Sequence, residues 1–236
     1  MSSPVLGEFI GTMLLIILGN GVVANVILHK TKGNNSGWIV ISFGWAMAVF
    51  IGVSASLALH GSGHLNPAFT IAAAAFGGFD KTLVLPYILA QLAGAILASF
   101  IVWIAYKKHF DETSNADIKL AVFCTAPEIR DPFYNLMTEI IGTIILVLGA
   151  LLLSKPETNL VALGPLPVGL LVLAIGLSLG GPTGYAINPA RDLGPRIAHF
   201  ILPIKNKRNS DWSYSWIPVI GPAIGALIAG WLFGIL

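Results

Sequence analysis

Two short stretches of this chain of 236 residues decide its fold: His64-Leu65-Asn66-Pro67-Ala68 and Ala186-Ile187-Asn188-Pro189-Ala190. Asparagine is a favoured cap for a helix, and proline suits the first helical turn because its missing N–H would have no partner there. The apolar segment that follows reaches about Phe79 in the first case and about Leu202 in the second. A helix of about 12 residues is roughly 18 Å long, about half of a bilayer. Each stretch therefore predicts a half-helix that begins after its asparagine.

The rest of the chain has the composition of a membrane protein. Hydrophobic residues make up 56% of it and charged residues 10%, and the mean hydropathy is +0.82. A soluble domain carries about 25% charged residues, so this chain could not cover its surface with polar groups. A membrane-spanning helix needs about 20 apolar residues. Six segments qualify: Val5–Leu28, Trp38–Leu59, Leu83–Tyr106, Phe133–Leu153, Leu160–Gly180 and Ser213–Leu236.

Charge and cysteine content exclude several classes of function. The net charge of +2 is too small to indicate a nucleic-acid partner, and the single cysteine, Cys124, cannot form an internal disulfide. The sequence shows no histidine and cysteine cluster with the spacing of metal ligands, and no pairing of a nucleophile with a base. We therefore expect neither an enzyme nor a bound metal or cofactor.

The two halves of the chain repeat each other. Gly7-Glu8-Phe9-Ile10-Gly11-Thr12 returns as Thr138-Glu139-Ile140-Ile141-Gly142-Thr143. Each half, about residues 1–110 and 130–236, reads as a glutamate-bearing helix, a second helix, a half-helix and a third helix. Three spans per half is an odd number, so the second half must insert upside down. The prediction is an all-α membrane protein, one channel domain over residues 1–236, with six transmembrane helices and two re-entrant half-helices in an inverted repeat.

This arrangement predicts a pore at the point where the half-helices meet. Irregular backbone at membrane depth is tolerated only where it is packed in protein or lines a water-filled cavity. Each helix N-terminus carries about half a positive charge, so two facing N-termini repel cations, including hydronium. The amides of Asn66 and Asn188 can donate hydrogen bonds to a hydroxyl group or to water. We therefore predict a channel that passes neutral solutes and excludes ions and protons.

The paired Asn-Pro-Ala boxes, the paired helical glutamates and the run Asn188-Pro189-Ala190-Arg191-Asp192 closely resemble the aquaporin superfamily, the major intrinsic proteins. The resemblance extends from Glu8 to Gly225. It implies six tilted helices with two half-helices, assembled as homotetramers with one pore per subunit in the lipid bilayer of the plasma membrane. It also implies passive flow of solute without covalent chemistry.

By the same resemblance, four residues are expected at the selectivity constriction: Trp45, Gly176, Tyr185 and Arg191. A water-selective member is expected to place histidine at the position of Gly176, and glycine leaves room for a carbon backbone. Trp45 and Tyr185 could form an aromatic corner, and the guanidinium of Arg191 presents fixed donors to two adjacent hydroxyl groups. The Tyr185 hydroxyl is expected to make the constriction narrower and more polar than phenylalanine would.

The assignment of Trp45 depends on the length of the first re-entrant loop. Trp45 lies 21 residues before Asn66, one more than the family pattern leads us to expect. The assignment assumes one inserted residue near His60. Without that insertion, Ala46 would face the constriction instead.

Three further positions resemble the glycerol-facilitator branch: Asp192, Arg196 and Pro218. They predict a passive channel for glycerol and other small uncharged solutes that also passes water. The alternatives are a water-preferring aquaporin and a proton-coupled transporter with Glu8 and Glu139 as proton carriers.

Three further polar residues are expected to contribute to the site. For Glu8 and Glu139 the repeat favours a structural role, in which each accepts hydrogen bonds from the backbone of a loop before a half-helix. His64 could line the pore or support the loop.

The distribution of basic residues conflicts with the orientation that the resemblance implies. The resemblance places both termini in the cytoplasm, so the first, third and fifth connecting loops lie outside. Those loops hold nine basic residues, Lys30, Lys32, Lys107, Lys108, Lys119, Arg130, Lys205, Lys207 and Arg208, whereas the inside holds only Lys81 and Lys155. The positive-inside rule predicts the opposite orientation. We follow the resemblance, because the number of spans and the two boxes determine the fold.

Overall fold

A computed structural model of the chain describes residues 3–158 and 160–236, which form α-helices and contain no β-strand. The helices are α1 (Pro4–Ile27), α2 (Trp38–Ala58), α3 (Pro67–Phe76), α4 (Val84–Glu112), α5 (Ala116–Ala121), α6 (Pro132–Leu153), α7 (Leu166–Leu179), α8 (Pro189–Ile201) and α9 (Ile217–Ile235). Helices α3 and α8 are the two predicted half-helices. They end within a few residues of the predicted positions.

Five helices, α1, α2, α4, α6 and α9, are long and apolar enough to cross a membrane. The fifth predicted span, Leu160–Gly180, is shorter than the sequence indicates, because α7 has 14 residues and follows a single 3₁₀ turn over Val161–Leu163. Pro165 and Pro167 explain the difference. A proline without an N–H fits the first helical turn but cannot continue a helix from residues upstream.

The two halves pack in corresponding ways. Helix α1 packs against α2 and α4, and α6 packs against α7 and α9. Each half-helix packs against the other half of the chain, α3 on α9 and α8 on α4. These contacts place the two half-helices in the centre of the molecule.

Glycines bring the long helices into backbone contact. A Cβ built on Gly11 would lie 2.7 Å from the carbonyl oxygen of Gly52, and a Cβ on Gly52 would lie 2.7 Å from that of Gly11. In the second half, a Cβ on Gly225 would lie 2.5 Å from the carbonyl oxygen of Ile140. Small residues at such positions allow close helix packing inside a membrane. The pairs α1–α2 and α6–α9 therefore cannot separate without losing these contacts.

Candidate functional site

The two half-helices meet through their capping asparagines. Asn66 Oδ1 accepts a hydrogen bond from the backbone N–H of Ala68 at 2.9 Å, and Asn188 Oδ1 accepts one from Ala190 at 2.9 Å. Asn66 Nδ2 donates to the carbonyl of Ile187 at 2.9 Å, and Asn188 Nδ2 donates to that of Leu65 at 2.8 Å. Both asparagines line a central cavity. Each amide has a second N–H, which no described residue accepts and which is available to a solute.

Glu8 supports the first re-entrant loop from behind. Its carboxylate accepts hydrogen bonds from the backbone N–H groups of His64, at 3.0 Å, and Leu65, at 2.7 Å. The Ser56 hydroxyl and the Gln91 amide donate to it as well, at 3.0 and 2.8 Å. The Glu8 side chain is fully buried. Charge-assisted hydrogen bonds of this kind are stronger than neutral ones, so they hold the loop in one conformation.

Glu139 supports the second re-entrant loop in the same way. Its carboxylate accepts hydrogen bonds from the backbone N–H groups of Ala186, at 3.0 Å, and Ile187, at 2.8 Å, and from the Thr183 hydroxyl at 2.7 Å. Neither glutamate is among the described residues that line the cavity. Both carboxylates are therefore occupied by the loops and not exposed to solute.

The residues before both asparagines have left-handed backbone. Leu65 has a φ of 50° and Ile187 a φ of 44°, and Tyr185 has a φ of 40°. Left-handed backbone is uncommon outside glycine and costs about 1–3 kcal/mol, so it persists only where the surroundings enforce it. The hydrogen bonds to the two glutamates supply that constraint.

The cavity has a volume of about 360 Å³ and two chemically different walls. One wall consists of the two re-entrant loops, residues 62–66 and 185–188, with their polar backbone. The other consists of apolar side chains from α1, α2, α6 and α7, among them Leu15, Leu146 and Val172. On α2 the lining residues recur every fourth position, at Trp45, Val49, Val53 and Leu57, a distance of about 18 Å along the helix.

Three of the four residues predicted for the constriction line this cavity: Trp45, Tyr185 and Arg191. The guanidinium carbon of Arg191 lies 4.2 Å from the centroid of the Trp45 ring, which is cation–π geometry. Arg191 Nη1 donates to the carbonyl of Phe123 at 3.3 Å. Ala46 is fully buried next to Gly169 on α7, so Trp45 faces the cavity and Ala46 does not.

The fourth predicted residue, Gly176, is not among the described residues that line the cavity. A Cβ built on Gly176 would lie 2.9 Å from Tyr185 Cζ, 3.0 Å from the Tyr185 hydroxyl and 3.1 Å from the Ser42 hydroxyl. The space that glycine leaves is therefore filled by the tyrosine ring. The Tyr185 hydroxyl is buried there. The hydroxyl therefore adds no polar group to the cavity surface, contrary to the expectation, while the expected narrowing of the constriction by Tyr185 stays a prediction.

Residues 1–233 of the chain match a known family, described as Major intrinsic protein. The chain belongs to the major intrinsic protein family. It is 55% identical over 235 residues to a probable glycerol uptake facilitator protein of Thermotoga maritima, covering 98% of this chain and 100% of that protein. It is 54% identical over 235 residues to the glycerol uptake facilitator protein of Streptococcus pneumoniae, covering 100% of both chains.

A solved structure has the same fold. The aquaglyceroporin from Plasmodium falciparum superposes with a TM-score of 0.87 at 31% identity, covering 98% of this chain and 94% of that one. The predicted family and fold class are thereby confirmed. This major intrinsic protein is a multi-pass membrane protein and a channel, not an enzyme.

His64 both lines the cavity and supports its loop. Its Nδ1 lies 3.1 Å from the hydroxyl of Thr70, and its ring packs among Phe69, Phe79 and Tyr87 at centroid distances of 4.8–5.6 Å. These contacts fix the ring on the loop side of the cavity. The sequence left open whether His64 lines the pore or supports the loop, and these two roles are compatible with each other.

The three branch markers lie outside the cavity lining of the described chain. Asp192 and Arg196 form a fully buried ion pair at 2.8 Å. Asp192 also accepts hydrogen bonds from the backbone N–H and the hydroxyl of Thr125, and Arg196 donates to the carbonyls of Thr125, Ser210 and Asp211. The pair thus fastens two connecting loops to α8. Pro218 is buried in the first turn of α9.

The apolar wall of this major intrinsic protein could not be identified from the sequence. Val49, Val53 and Leu57 follow Trp45 at intervals of four, which places them on one face of α2. This four-residue spacing identifies the lining residues of α2 once Trp45 is known to face the cavity. By itself it is ambiguous, because α2 also has exposed apolar residues on its other faces, such as Phe43 and Ile51.

Proposed function

We propose that this major intrinsic protein is a passive channel for glycerol and other small uncharged solutes, with permeability to water. The observation that carries the proposal is the division of the cavity into an apolar wall and a polar wall. Glycerol has the same division, since its CH groups and OH groups can face opposite sides. The amides of Asn66 and Asn188 and the guanidinium of Arg191 can donate to hydroxyl groups while the CH groups contact α2.

Ions and protons are excluded by charge. The N-termini of α3 and α8 each contribute about half a positive charge, and Arg191 adds a full one. The Asp192 carboxylate does not cancel the Arg191 charge inside the cavity, because it is bound to Arg196 and Thr125. A cation, including hydronium, therefore meets a positive barrier that a neutral solute does not experience.

The orientation with both termini in the cytoplasm of a plasma membrane agrees with the way the outer loops are built. Six of the nine basic residues in the first, third and fifth loops bind protein groups. Four form ion pairs, Lys30–Glu112, Lys107–Asp111, Arg130–Asp211 and Arg208–Asp117. Lys119 and Lys207 donate to backbone carbonyls. These six basic residues are therefore compensated by protein groups in the folded loops, whereas the positive-inside rule counts them and favours the opposite orientation, so the proposed orientation rests on the family.

A homotetramer is part of the same proposal. Many large apolar side chains on the outer helix faces are exposed in the single chain, among them Ile39, Phe43, Leu89, Ile145 and Trp231. Lipid and neighbouring subunits would cover such faces. Size-exclusion chromatography with light scattering in mild detergent measures the protein mass, and a mass of one subunit would contradict the tetramer.

Stopped-flow light scattering on proteoliposomes tests the proposed function. In an inward glycerol gradient, vesicles that contain the protein are expected to shrink and then re-swell much faster than protein-free vesicles. In an impermeant sugar they are expected only to shrink, at a rate that reports water flux. Water flux without glycerol flux would support the water-preferring alternative, and no flux of either kind would contradict a channel.

Gly176→His is expected to reduce glycerol permeability much more than water permeability. The new side chain must displace the Tyr185 ring, whose Cζ lies 2.9 Å from the position of a Cβ on Gly176. We expect the ring to move toward the cavity that it lines. A displaced ring narrows the path for a carbon backbone more than the path for water, so we expect glycerol permeability to fall about tenfold or more, which is about 1.4 kcal/mol or more added to the barrier for glycerol.

Gly181→His is the matched control for Gly176→His, since no described atom lies within 4 Å of a Cβ on Gly181. Both permeabilities should remain at the wild-type level in this control. Equal losses of glycerol and water flux in Gly176→His would count against the assignment of this position to the filter.

A further inference from the structure

A glycine on α1 lies directly behind the constriction. A Cβ built on Gly19 would lie 2.5 Å or less from three carbons of the six-membered ring of Trp45. Real Cβ atoms do not approach another atom so closely, so the ring occupies the volume that a side chain at position 19 would need. Gly19 itself is buried and does not belong to the described cavity lining.

The opposite side of the Trp45 ring faces the solute path. The ring lines the cavity, and the guanidinium carbon of Arg191 lies 4.2 Å from its centroid. The indole is therefore held between the backbone of α1 and the Arg191 side chain. Any displacement away from α1 moves it toward Arg191 and into the cavity.

Helix α1 packs closely against α2 on both sides of Gly19. The contact between Gly11 and Gly52 brings the backbones of α1 and α2 together two turns away from Gly19, and a Cβ on either glycine would lie 2.7 Å from the carbonyl oxygen of the other. On the same side of the molecule, a Cβ on Gly44 would lie 2.6 Å from both methyl groups of Val22. Moving α1 away from α2 would break both contacts, so we expect the tryptophan ring to give way instead.

We propose that Gly19, which does not touch the solute, is a positioning residue that sets the width of the constriction. Its missing side chain allows the Trp45 ring to lie against α1, and this leaves space between the ring and Arg191 for a molecule with a carbon backbone. A larger residue at position 19 converts the channel toward water selectivity. The inference rests on the proposed function, since it concerns the discrimination between glycerol and water.

Gly19→Ala tests the inference against Gly21→Ala. Both substitutions replace glycine by alanine in α1, but no described atom lies within 4 Å of a Cβ on Gly21. Glycerol permeability of Gly19→Ala is expected to fall about tenfold, because the displaced Trp45 ring raises the barrier for a carbon backbone, while its water permeability falls much less because water is smaller. Gly21→Ala is expected to match the wild type in both. Equal glycerol-to-water permeability ratios in the two variants would overturn the inference.

A second comparison separates displacement of the ring from a general packing defect. Trp45→Phe shortens the side chain, so the atoms that approach Gly19 are removed. Adding Gly19→Ala to Trp45→Phe is expected to change glycerol permeability by less than about twofold, a coupling that the double-mutant cycle measures. An undiminished loss in the Trp45→Phe background, or misfolding of that double variant, would contradict the proposal. Failure of the wild type to pass glycerol would instead contradict the proposed function, so the two failures are distinguishable.

Discussion

Glu139→Ala is expected to destabilise the protein severely and to abolish solute flux. The substitution leaves the buried N–H groups of Ala186 and Ile187 without acceptors, in a loop where Ile187 already has left-handed backbone. An unsatisfied buried donor costs about 1–3 kcal/mol, so the two together cost about 2–6 kcal/mol, a large part of typical protein stability. The loss corresponds to a decrease of about 4–24 °C in the unfolding temperature of a chain of this length.

Thermal unfolding in detergent, followed by size-exclusion chromatography, measures this effect of Glu139→Ala. Glu157→Ala is the control, because Glu157 is an exposed carboxylate in the connection between α6 and α7. It should leave the unfolding temperature and the flux unchanged. Retention of wild-type stability and flux by Glu139→Ala would contradict the role of the carboxylate as a loop support.

Glu139→Gln distinguishes a loop support from a proton carrier. The amide oxygen can still accept hydrogen bonds, but the amide nitrogen cannot, so we expect stability between that of the wild type and that of Glu139→Ala. Flux down a glycerol gradient should persist in folded protein. A stable variant that loses only a response to a pH gradient would support the proton-coupled transporter instead.

Arg191→Ala is expected to weaken discrimination between solutes and to raise proton conductance. The substitution removes a large side chain beside Trp45 and also the only full positive charge among the described cavity-lining residues. A unit charge about 4 Å from an ion contributes about 4 kcal/mol at an effective dielectric constant of 20. Removing it should raise proton conductance at least about tenfold, since each 1.4 kcal/mol corresponds to a factor of ten.

Proteoliposomes with an internal pH dye measure proton conductance of Arg191→Ala, and a series of larger polyols measures size discrimination. Arg208→Ala is the control, because Arg208 is a half-exposed arginine that pairs with Asp117 in the outer loops. Unchanged polyol selectivity together with unchanged proton conductance in Arg191→Ala would remove this residue from the constriction.

The polar elements of the fold could be predicted from the sequence, because polar residues are rare in an apolar chain. Glu8 and Glu139 repeat at equivalent positions, and each accepts hydrogen bonds from the loop before the half-helix of its own half. Asn66 and Asn188 cap their half-helices as the Asn-Pro signal indicates. Such a residue has few ways to satisfy its hydrogen bonds inside a membrane, so its role follows from its position.

The apolar elements could not be predicted to the same extent. Nothing in the sequence distinguishes the face of α2 that carries Val53 from the exposed apolar faces that carry Phe43 and Ile51. The hydroxyl of Tyr185 is buried beside Gly176, a contact between two elements that no local sequence pattern predicts. The contact between Gly19 and Trp45 depends on the packing of two helices. These features are set by tertiary contacts and not by composition or spacing.

The temperature and gradient dependence of glycerol influx into proteoliposomes tests the passive-channel account most directly. The account predicts a low activation energy, an initial rate that rises linearly with the glycerol gradient, and no effect of an imposed pH gradient on that rate. Saturation of the rate at low glycerol concentration, with acceleration by an inward proton gradient, would contradict it and would identify a coupled transporter.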